Sequence, residues 1–280
     1  MSILAGSVTK KIVSFDGTEI FYNYIKGTKK DKWLIFLHGL GGDLTAWDKE
    51  RIAIKALGYS TLAIDLRGHG LSKRPKIEEA YDLNNFVKDV LVILDEEKIQ
   101  KPVLVGHCLG GMISLTLEGT HPKTSQGLIL VDTSYKPPYL VNILSDHAVL
   151  NKIVHLLANH IPAIGIYKHV DFSKFVGTTD LDPKRILSDV LHTSLKSYLL
   201  ICEDLIGYDA SELLKRIVVP TLVIEGTEDI IFPPKVARDL GHRIKKAQVD
   251  FIQGANHILV INNPEDVVLE IHTFLKKIQF

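Results

Sequence analysis

Few cysteines, no excess of charge of either sign and no long apolar run limit what this 280-residue chain can be. Its two cysteines cannot form the disulfide framework of a small secreted domain, which fits a reducing compartment. Because 33 basic and 33 acidic side chains cancel, we expect no partner of the nucleic-acid type and no attraction to an anionic membrane surface. Residues 1–11 lack an apolar core of signal-peptide length, so we expect a cytoplasmic protein.

Several motifs of membrane, metal and nucleotide chemistry are also missing from the sequence. The longest uncharged runs, 102–117 and 153–167, are shorter than the roughly 18 residues that a membrane span needs. Neither H-E-x-x-H nor a Cys/His ligand spacing occurs, and no phosphate-binding G-x-x-x-x-G-K-[ST] or G-x-G-x-x-G follows a predicted strand. We therefore expect no membrane span, no metal and no cofactor. The composition, 46% hydrophobic and 24% charged, is that of an ordinary globular domain.

Strand and helix patterns alternate along most of the chain. Apolar positions alternate on both sides of Asp16-Gly17, which predicts an antiparallel hairpin over 12–24. Short continuous apolar runs then predict strands buried on both faces of a parallel sheet. These runs are 33–37, 60–64, 103–105, 128–131 and 222–224, and helical patterns lie at 45–57, 83–99, 109–118, 234–240 and 264–278. Such alternation predicts an α/β fold with a mostly parallel, doubly wound sheet.

One stretch interrupts this alternation. Residues 135–209 contain no good strand pattern. They contain helix signals, among them Asp182 as an N-cap with Pro183 at the first helical position. The strand pattern resumes at Val219-Pro220. We interpret 135–209 as a helical cap, or lid, inserted between two core segments, 1–134 and 210–280. A set of ordinary packing helices is the alternative interpretation.

The segment 106–111 carries the strongest chemical signal. It reads Gly-His-Cys-Leu-Gly-Gly and lies directly between a predicted strand and a predicted helix. A sharp strand-to-helix turn needs small residues two positions before and after its corner, where Gly106 and Gly110 stand. The corner residue, Cys108, would project beside the helix N-terminus. This is the pattern of a nucleophile elbow, with cysteine in place of the usual serine.

With this elbow, the chain resembles the α/β-hydrolase fold superfamily over nearly its whole length. The resemblance implies an eight-stranded, mostly parallel sheet, and four further motifs follow the superfamily's order. They are the oxyanion-loop pattern H-G-L-G-G at 38–42, D-L-R-G-H-G-L-S at 65–72, the acid-bearing G-T-E-D at 226–229, and the histidine-bearing G-A-N-H at 254–257.

The resemblance assigns a role to each site residue. Cys108 would attack as a thiolate, His257 would transfer the proton, and Asp229 would orient the imidazole and stabilise its cation. The backbone N–H groups of Leu40 and Leu109 would form the oxyanion hole. The order nucleophile, acid, histidine is the order that the superfamily follows.

Other residues compete with this assignment. Glu228 is adjacent to Asp229, and Asp132 follows a predicted strand after which some superfamily members carry their acid, although the motif spacing favours Asp229. We expect Cys202, in an apolar helical run, to be a packing residue. The histidines that flank the motifs, His38, His69 and His107, are expected to orient loops through hydrogen bonds.

The residue at the elbow also limits the reaction. Haloalkane dehalogenases and epoxide hydrolases of this fold use aspartate there, so Cys108 argues against both. Members that cleave carbon–carbon bonds often carry tryptophan after the catalytic histidine, whereas Ile258 follows here. Dienelactone hydrolases use cysteine but lack a long cap.

We therefore expect a carboxylic ester hydrolase that acts on small, largely apolar ester substrates through a thioester acyl-enzyme. The alternatives are a C–C (meta-cleavage product) or dienelactone hydrolase, an acyltransferase, and a hydrolase-like ligand receptor with little turnover. Whether Cys108 is the natural residue or replaces a serine is left open by the sequence, and the function class is the same in both cases.

Overall fold

A computed structural model of the chain describes residues 4, 6–138, 147–162 and 164–280. In that part of the chain, eight strands form one sheet in the order β1-β2-β4-β3-β5-β6-β7-β8. The first two neighbouring pairs, β1 with β2 and β2 with β4, are antiparallel, and all the other neighbours are parallel. The strands are β1 (Val8–Val13), β2 (Glu19–Ile25), β3 (Trp33–Leu37), β4 (Ser60–Asp65), β5 (Val103–His107), β6 (Gly127–Val131), β7 (Thr221–Gly226) and β8 (Ala247–Ile252).

Helices follow most of the parallel strands. They are α1 (Asp48–Ala56), α2 (Leu83–Glu96), α3 (Leu109–Thr120), α4 (His147–His160), α5 (Pro183–Thr193), α6 (Leu195–Ile206), α7 (Ser211–Leu214), α8 (Pro234–Arg243), α9 (Leu259–Asn262) and α10 (Pro264–Lys277). Short 3₁₀ turns cover Leu44–Trp47, Glu78–Tyr81 and Phe172–Phe175.

Two hydrophobic clusters cover the two faces of the sheet. One contains Phe86 of α2 and Met112 of α3, and the other contains Ile54 of α1 and Ile271 of α10. A sheet with helices packed on both faces is a doubly wound α/β fold. The predicted fold class, with eight strands in a mostly parallel sheet, is therefore confirmed.

Local signals in the sequence define several element ends as predicted. The Asp82 side chain accepts from the Asn84 N–H at the start of α2, and the Asp182 side chain accepts from the Arg185 N–H at the start of α5. These bonds satisfy N–H groups that a helix leaves free in its first turn. The predicted hairpin is present, and Gly17 in its turn has φ +83°.

Two elements differ from the sequence patterns. The helix predicted over 45–57 is a 3₁₀ turn followed by α1, because the Asp43 side chain accepts from the Thr45 N–H and starts the turn one residue earlier. The sequence of the edge strand β8 contains no continuous apolar run, so the sequence patterns do not predict this strand. It is half-buried along most of its length and includes the polar Gln248 and Asp250.

The described residues between 135 and 209 contain helices α4, α5 and α6 and no strand. Part of the predicted cap, residues 139–146 and 163, and part of the predicted core, residues 1–3 and 5, lie outside the described residues. The division at 134/135 and 209/210 stays a prediction. None of the helices in the described part of the chain is long and apolar enough to cross a membrane.

Candidate active site

Cys108 occupies the turn between β5 and α3. Its backbone has φ 49° and ψ −113°, and residues other than glycine rarely adopt such a positive φ. A Cβ at Gly106 would lie 2.3 Å from the Gly110 carbonyl oxygen, and one at Gly110 would lie 2.2 Å from the Leu37 carbonyl oxygen. Both positions therefore require glycine, as the elbow pattern predicted. The turn leaves Cys108 partly exposed at the N-terminus of α3.

The structure brings His257 and Asp229 together. His257 lies between β8 and α9, and its Nδ1 is 2.8 Å from the Asp229 Oδ2. The other carboxylate oxygen of Asp229 accepts the N–H groups of Ile231 at 2.6 Å and Phe232 at 2.9 Å. These backbone donors fix the carboxylate, which in turn makes His257 Nδ1 the protonated nitrogen and leaves Nε2 for another partner.

The charge state of His257 follows from its neighbours. Burial lowers the pKa of His257, but the charges of Asp229 and Cys108, together with the hydrogen bond to Asp229, outweigh burial and raise that pKa well above its ordinary value. A histidine cation between a carboxylate and a thiolate is the arrangement that activates a cysteine nucleophile.

The two competing acids do not bond to the His257 ring. Glu228 is exposed. Asp132 is fully buried, and its Oδ1 accepts the Gly226 N–H at 2.9 Å. Burial, and then the charge of Asp229, raise the pKa of Asp132 well above its ordinary value.

The expected oxyanion loop lies against the elbow. A Cβ built at Gly39 would be 3.1 Å from the Cβ of Cys108. In the part of the chain that the structure describes, neither the Leu40 N–H nor the Leu109 N–H donates to another protein atom. Both donors are therefore available to an oxygen that develops charge above Cys108.

The flanking histidines hold the loops of the site through hydrogen bonds, as predicted. His38 Nε2 accepts the Leu66 N–H at 3.1 Å, and His69 Nε2 accepts the Gly41 N–H at 3.2 Å. His107 Nε2 donates to the His257 carbonyl at 2.8 Å. Burial lowers the pKa of His38 to about 4 and, with the charge of His257, that of His107 to about 3, so both rings are neutral.

Side chains from 180–189 approach the site, although no motif in the sequence predicts them there. A Cβ at Gly41 would lie 2.5 Å from the Cβ of Asp189, so α5 packs on the oxyanion loop. Burial, and then the charge of Cys108, raise the pKa of Cys202 to about 12, and the expectation that Cys202 is a packing residue stays a prediction. Asp180 bonds to the loop that carries His257. These contacts join residues far apart in sequence, and no local motif marks them.

Among the residues that the structure describes, four groups of side chains bring three possible metal-ligand atoms within 4.8 Å of one another. They are His107–Asp132–His257, Asp43–Asp65–His169, Glu78–His155–Glu203 and Asp132–Glu225–Asp229. In the second group, backbone N–H groups of Leu44, Leu71 and Val170 already occupy carboxylate oxygens. The expectation that the chain holds no metal or cofactor stays a prediction.

Comparison with known proteins identifies sequence relatives of this chain. A family model described as alpha/beta hydrolase fold matches residues 32–160. Protein ABHD8 of Mus musculus is 24% identical over 254 residues, which are 89% of this chain and 56% of that protein. The chain therefore spans little more than half the length of these first curated relatives. The 3-oxoadipate enol-lactonase 1 of Acinetobacter baylyi is 26% identical over 91% of this chain and 92% of its own length.

Solved structures show the same fold. A thermophilic esterase from Thermogutta terrifontis superposes with a TM-score of 0.76 over 98% of this chain and 100% of that chain, at 20% identity.

Proposed function

This chain belongs to the α/β-hydrolase superfamily, and on that premise we propose that it hydrolyses carboxylic esters through a thioester acyl-enzyme on Cys108. The observation that carries the proposal is the bond of 2.8 Å between His257 Nδ1 and Asp229, in a site where Cys108 occupies the strained turn at the N-terminus of α3. A row of nucleophile, histidine and acid performs nucleophilic acyl transfer on several unrelated folds.

In the first half-reaction, the Cys108 thiolate attacks the ester carbonyl carbon, and the carbonyl oxygen becomes an oxyanion. The N–H groups of Leu40 and Leu109 donate to that oxyanion, and one such donor contributes about 3 kcal/mol in enzymes where it has been removed. The tetrahedral intermediate then expels the alcohol oxygen, to which the His257 cation gives its proton. The products of this step are an alcohol and a thioester on Cys108.

In the second half-reaction, neutral His257 takes a proton from water while the water oxygen attacks the thioester carbonyl carbon. Collapse of this intermediate releases the carboxylic acid and returns the Cys108 thiolate beside the His257 cation. Because a thiolate is a better leaving group than an amide nitrogen, an amide adduct would revert to substrate. We therefore expect esters, and not amides, to be turned over.

Small and largely apolar esters are the proposed substrates. Leu40 and Cys108 both pack at the margin of the larger hydrophobic cluster, which supports an apolar acyl group beside the nucleophile. A second candidate reaction is the hydrolysis of a lactone, which is an internal ester and requires the same steps. The relative named 3-oxoadipate enol-lactonase 1 favours this candidate.

The test is a substrate panel assayed with matched cysteine variants. Wild type, Cys108→Ala, Cys108→Ser and Cys202→Ser are compared on short and long p-nitrophenyl esters, lactones and ring-cleavage products. We expect Cys108→Ala to abolish turnover and Cys202→Ser to retain most of it. Full activity in Cys108→Ala would refute the proposal, and a large gain in Cys108→Ser would indicate that the site suits a serine.

A further inference from the structure

A short piece of the insertion, residues 177–180, which we call the strap, is bonded to the loop around the candidate histidine. The Gly177 N–H donates to Asn262 Oδ1 at 2.7 Å. The Thr178 carbonyl accepts from Asn256 Nδ2 at 2.9 Å and from Asn262 Nδ2 at 3.1 Å. The strap and the histidine loop are therefore joined on both sides of the histidine.

Asp180, at the end of the strap, bonds to two loops at once. Its side chain is almost fully buried, with 6% exposure. Oδ1 accepts the N–H of His257 at 2.9 Å, and Oδ2 accepts the N–H of Ile230, the residue after Asp229, at 3.2 Å. One carboxylate thus accepts N–H groups from two loops, the acid loop that carries Asp229 and the histidine loop that carries His257. Along the chain, α8 and β8 separate these two loops.

The position of Asp180 is itself held from α5. Arg185 Nη2 donates to the Asp180 carbonyl at 2.5 Å, and Arg185 Nη1 pairs with Asp189 Oδ2 at 2.7 Å. Asp189 packs on the oxyanion loop. The titratable groups that interact with the Asp180 carboxylate include Asp229, His257 and Asp132 of the core, whereas Arg185 of α5 bonds the Asp180 backbone carbonyl.

We infer that Asp180 is a positioning residue, whose carboxylate sets the separation of the acid and histidine loops and thereby aligns His257 with Cys108. The inference rests on the proposed function of Cys108, His257 and Asp229. Without the carboxylate, the buried N–H of His257 and the N–H of the exposed Ile230 both lose their acceptor, and the loops relax to find others. A shift of about 1 Å in a catalytic group can cost about 10²-fold in rate.

Three variants separate positioning from general stability. Asp180→Ala removes both acceptors, and Asp180→Asn keeps one oxygen but presents an amide N–H₂ where the second N–H needs an acceptor. Asp171→Asn is the matched control, because Asp171 is an exposed acid of the same insertion that contacts Ser173 and Lys174. We expect kcat to fall about 10²-fold in Asp180→Ala and about 10-fold in Asp180→Asn, with KM changed less than about threefold. The control should stay within about twofold of wild type.

A second measurement needs no substrate. The rate at which iodoacetamide alkylates Cys108 is followed against pH by mass spectrometry of the Cys108 peptide. A misaligned His257 stabilises the thiolate less, so we expect the midpoint to rise by about half a pH unit or more in Asp180→Ala, to rise less in Asp180→Asn, and not to move in Asp171→Asn.

A folded Asp180 variant with the wild-type midpoint and wild-type kcat would overturn the inference, whatever its melting temperature. If Asp180→Ala does not fold, Asp180→Asn gives the same decision. If wild type turns over no ester or lactone, the proposed function fails, whereas the alkylation midpoint still decides the role of Asp180.

Discussion

Changing each of two buried aspartates to asparagine should affect activity very differently. Asp229 bonds to His257 Nδ1 at 2.8 Å, whereas Asp132 accepts the Gly226 N–H and does not bond to the ring. Asp229→Asn replaces the carboxylate with an amide, so that either an N–H₂ donor or a neutral, weaker acceptor oxygen faces the imidazole. It also removes the negative charge that keeps the His257 pKa high.

The expected magnitudes follow from this geometry. In a serine protease, the same aspartate-to-asparagine change lowers kcat about 10⁴-fold because the imidazole takes the wrong tautomer. We expect a fall of about 10³- to 10⁴-fold in Asp229→Asn, or about 4–5.5 kcal/mol of transition-state stabilisation. Asp132 makes no bond to the His257 ring, and an amide oxygen can keep the bond to the Gly226 N–H, so Asp132→Asn should change kcat less than about threefold.

The assay is steady-state hydrolysis of the best p-nitrophenyl ester between pH 5 and 9, with circular dichroism to check that both variants fold. The pH midpoint of Cys108 alkylation is measured on the same samples, and it should rise in Asp229→Asn and stay constant in Asp132→Asn. An Asp132→Asn variant as damaged as Asp229→Asn would refute the assignment of the acid.

Three further predictions concern stability, and urea denaturation tests each of them. Gly110→Ala should lower the free energy of unfolding by about 1–3 kcal/mol and impair activity, because its Cβ would lie 2.2 Å from a carbonyl oxygen of β3. An unchanged urea midpoint would contradict this. Asp89→Ala should lower the free energy of unfolding by about 3–5 kcal/mol, because the fully buried Arg67 loses a carboxylate that accepts two of its N–H groups at 2.7 and 2.6 Å. A loss of stability below about 1 kcal/mol would count against this prediction. Burial lowers the pKa of His169, but the hydrogen bond and charge of Asp65 outweigh it and raise that pKa. His169→Gln should therefore destabilise most below the unfolded-state pKa of about 6.5 and progressively less as the pH rises through the folded-state pKa, and a loss that grows with pH would contradict the sign.

Local chemistry explains why the elbow could be predicted from sequence. The positions two before and two after Cys108, Gly106 and Gly110, must be glycine, since a backbone oxygen would lie within 2.3 Å of a Cβ at either position. That requirement is visible in a six-residue window. Motif spacing alone favours Asp229 as the acid, and in the structure Asp229 accepts two backbone N–H groups and bonds to the ring of His257.

Long-range contacts explain what the sequence did not reveal. Asp180 meets the N–H groups of residues 77 and 50 positions away, and no periodicity or spacing records such a contact. The edge strand β8 was missed because its half-exposed residues mix polar and apolar side chains, unlike the fully buried β5 and β6.

A pre-steady-state experiment tests the central claim, acyl transfer to Cys108, most directly. The enzyme is mixed with an activated ester, quenched with acid within the first turnover, digested and analysed by mass spectrometry. We predict a burst of about one leaving group per chain and an acyl group on the Cys108 peptide that disappears on longer incubation. Turnover without acylation of Cys108, or an acyl group on another residue, would contradict the account.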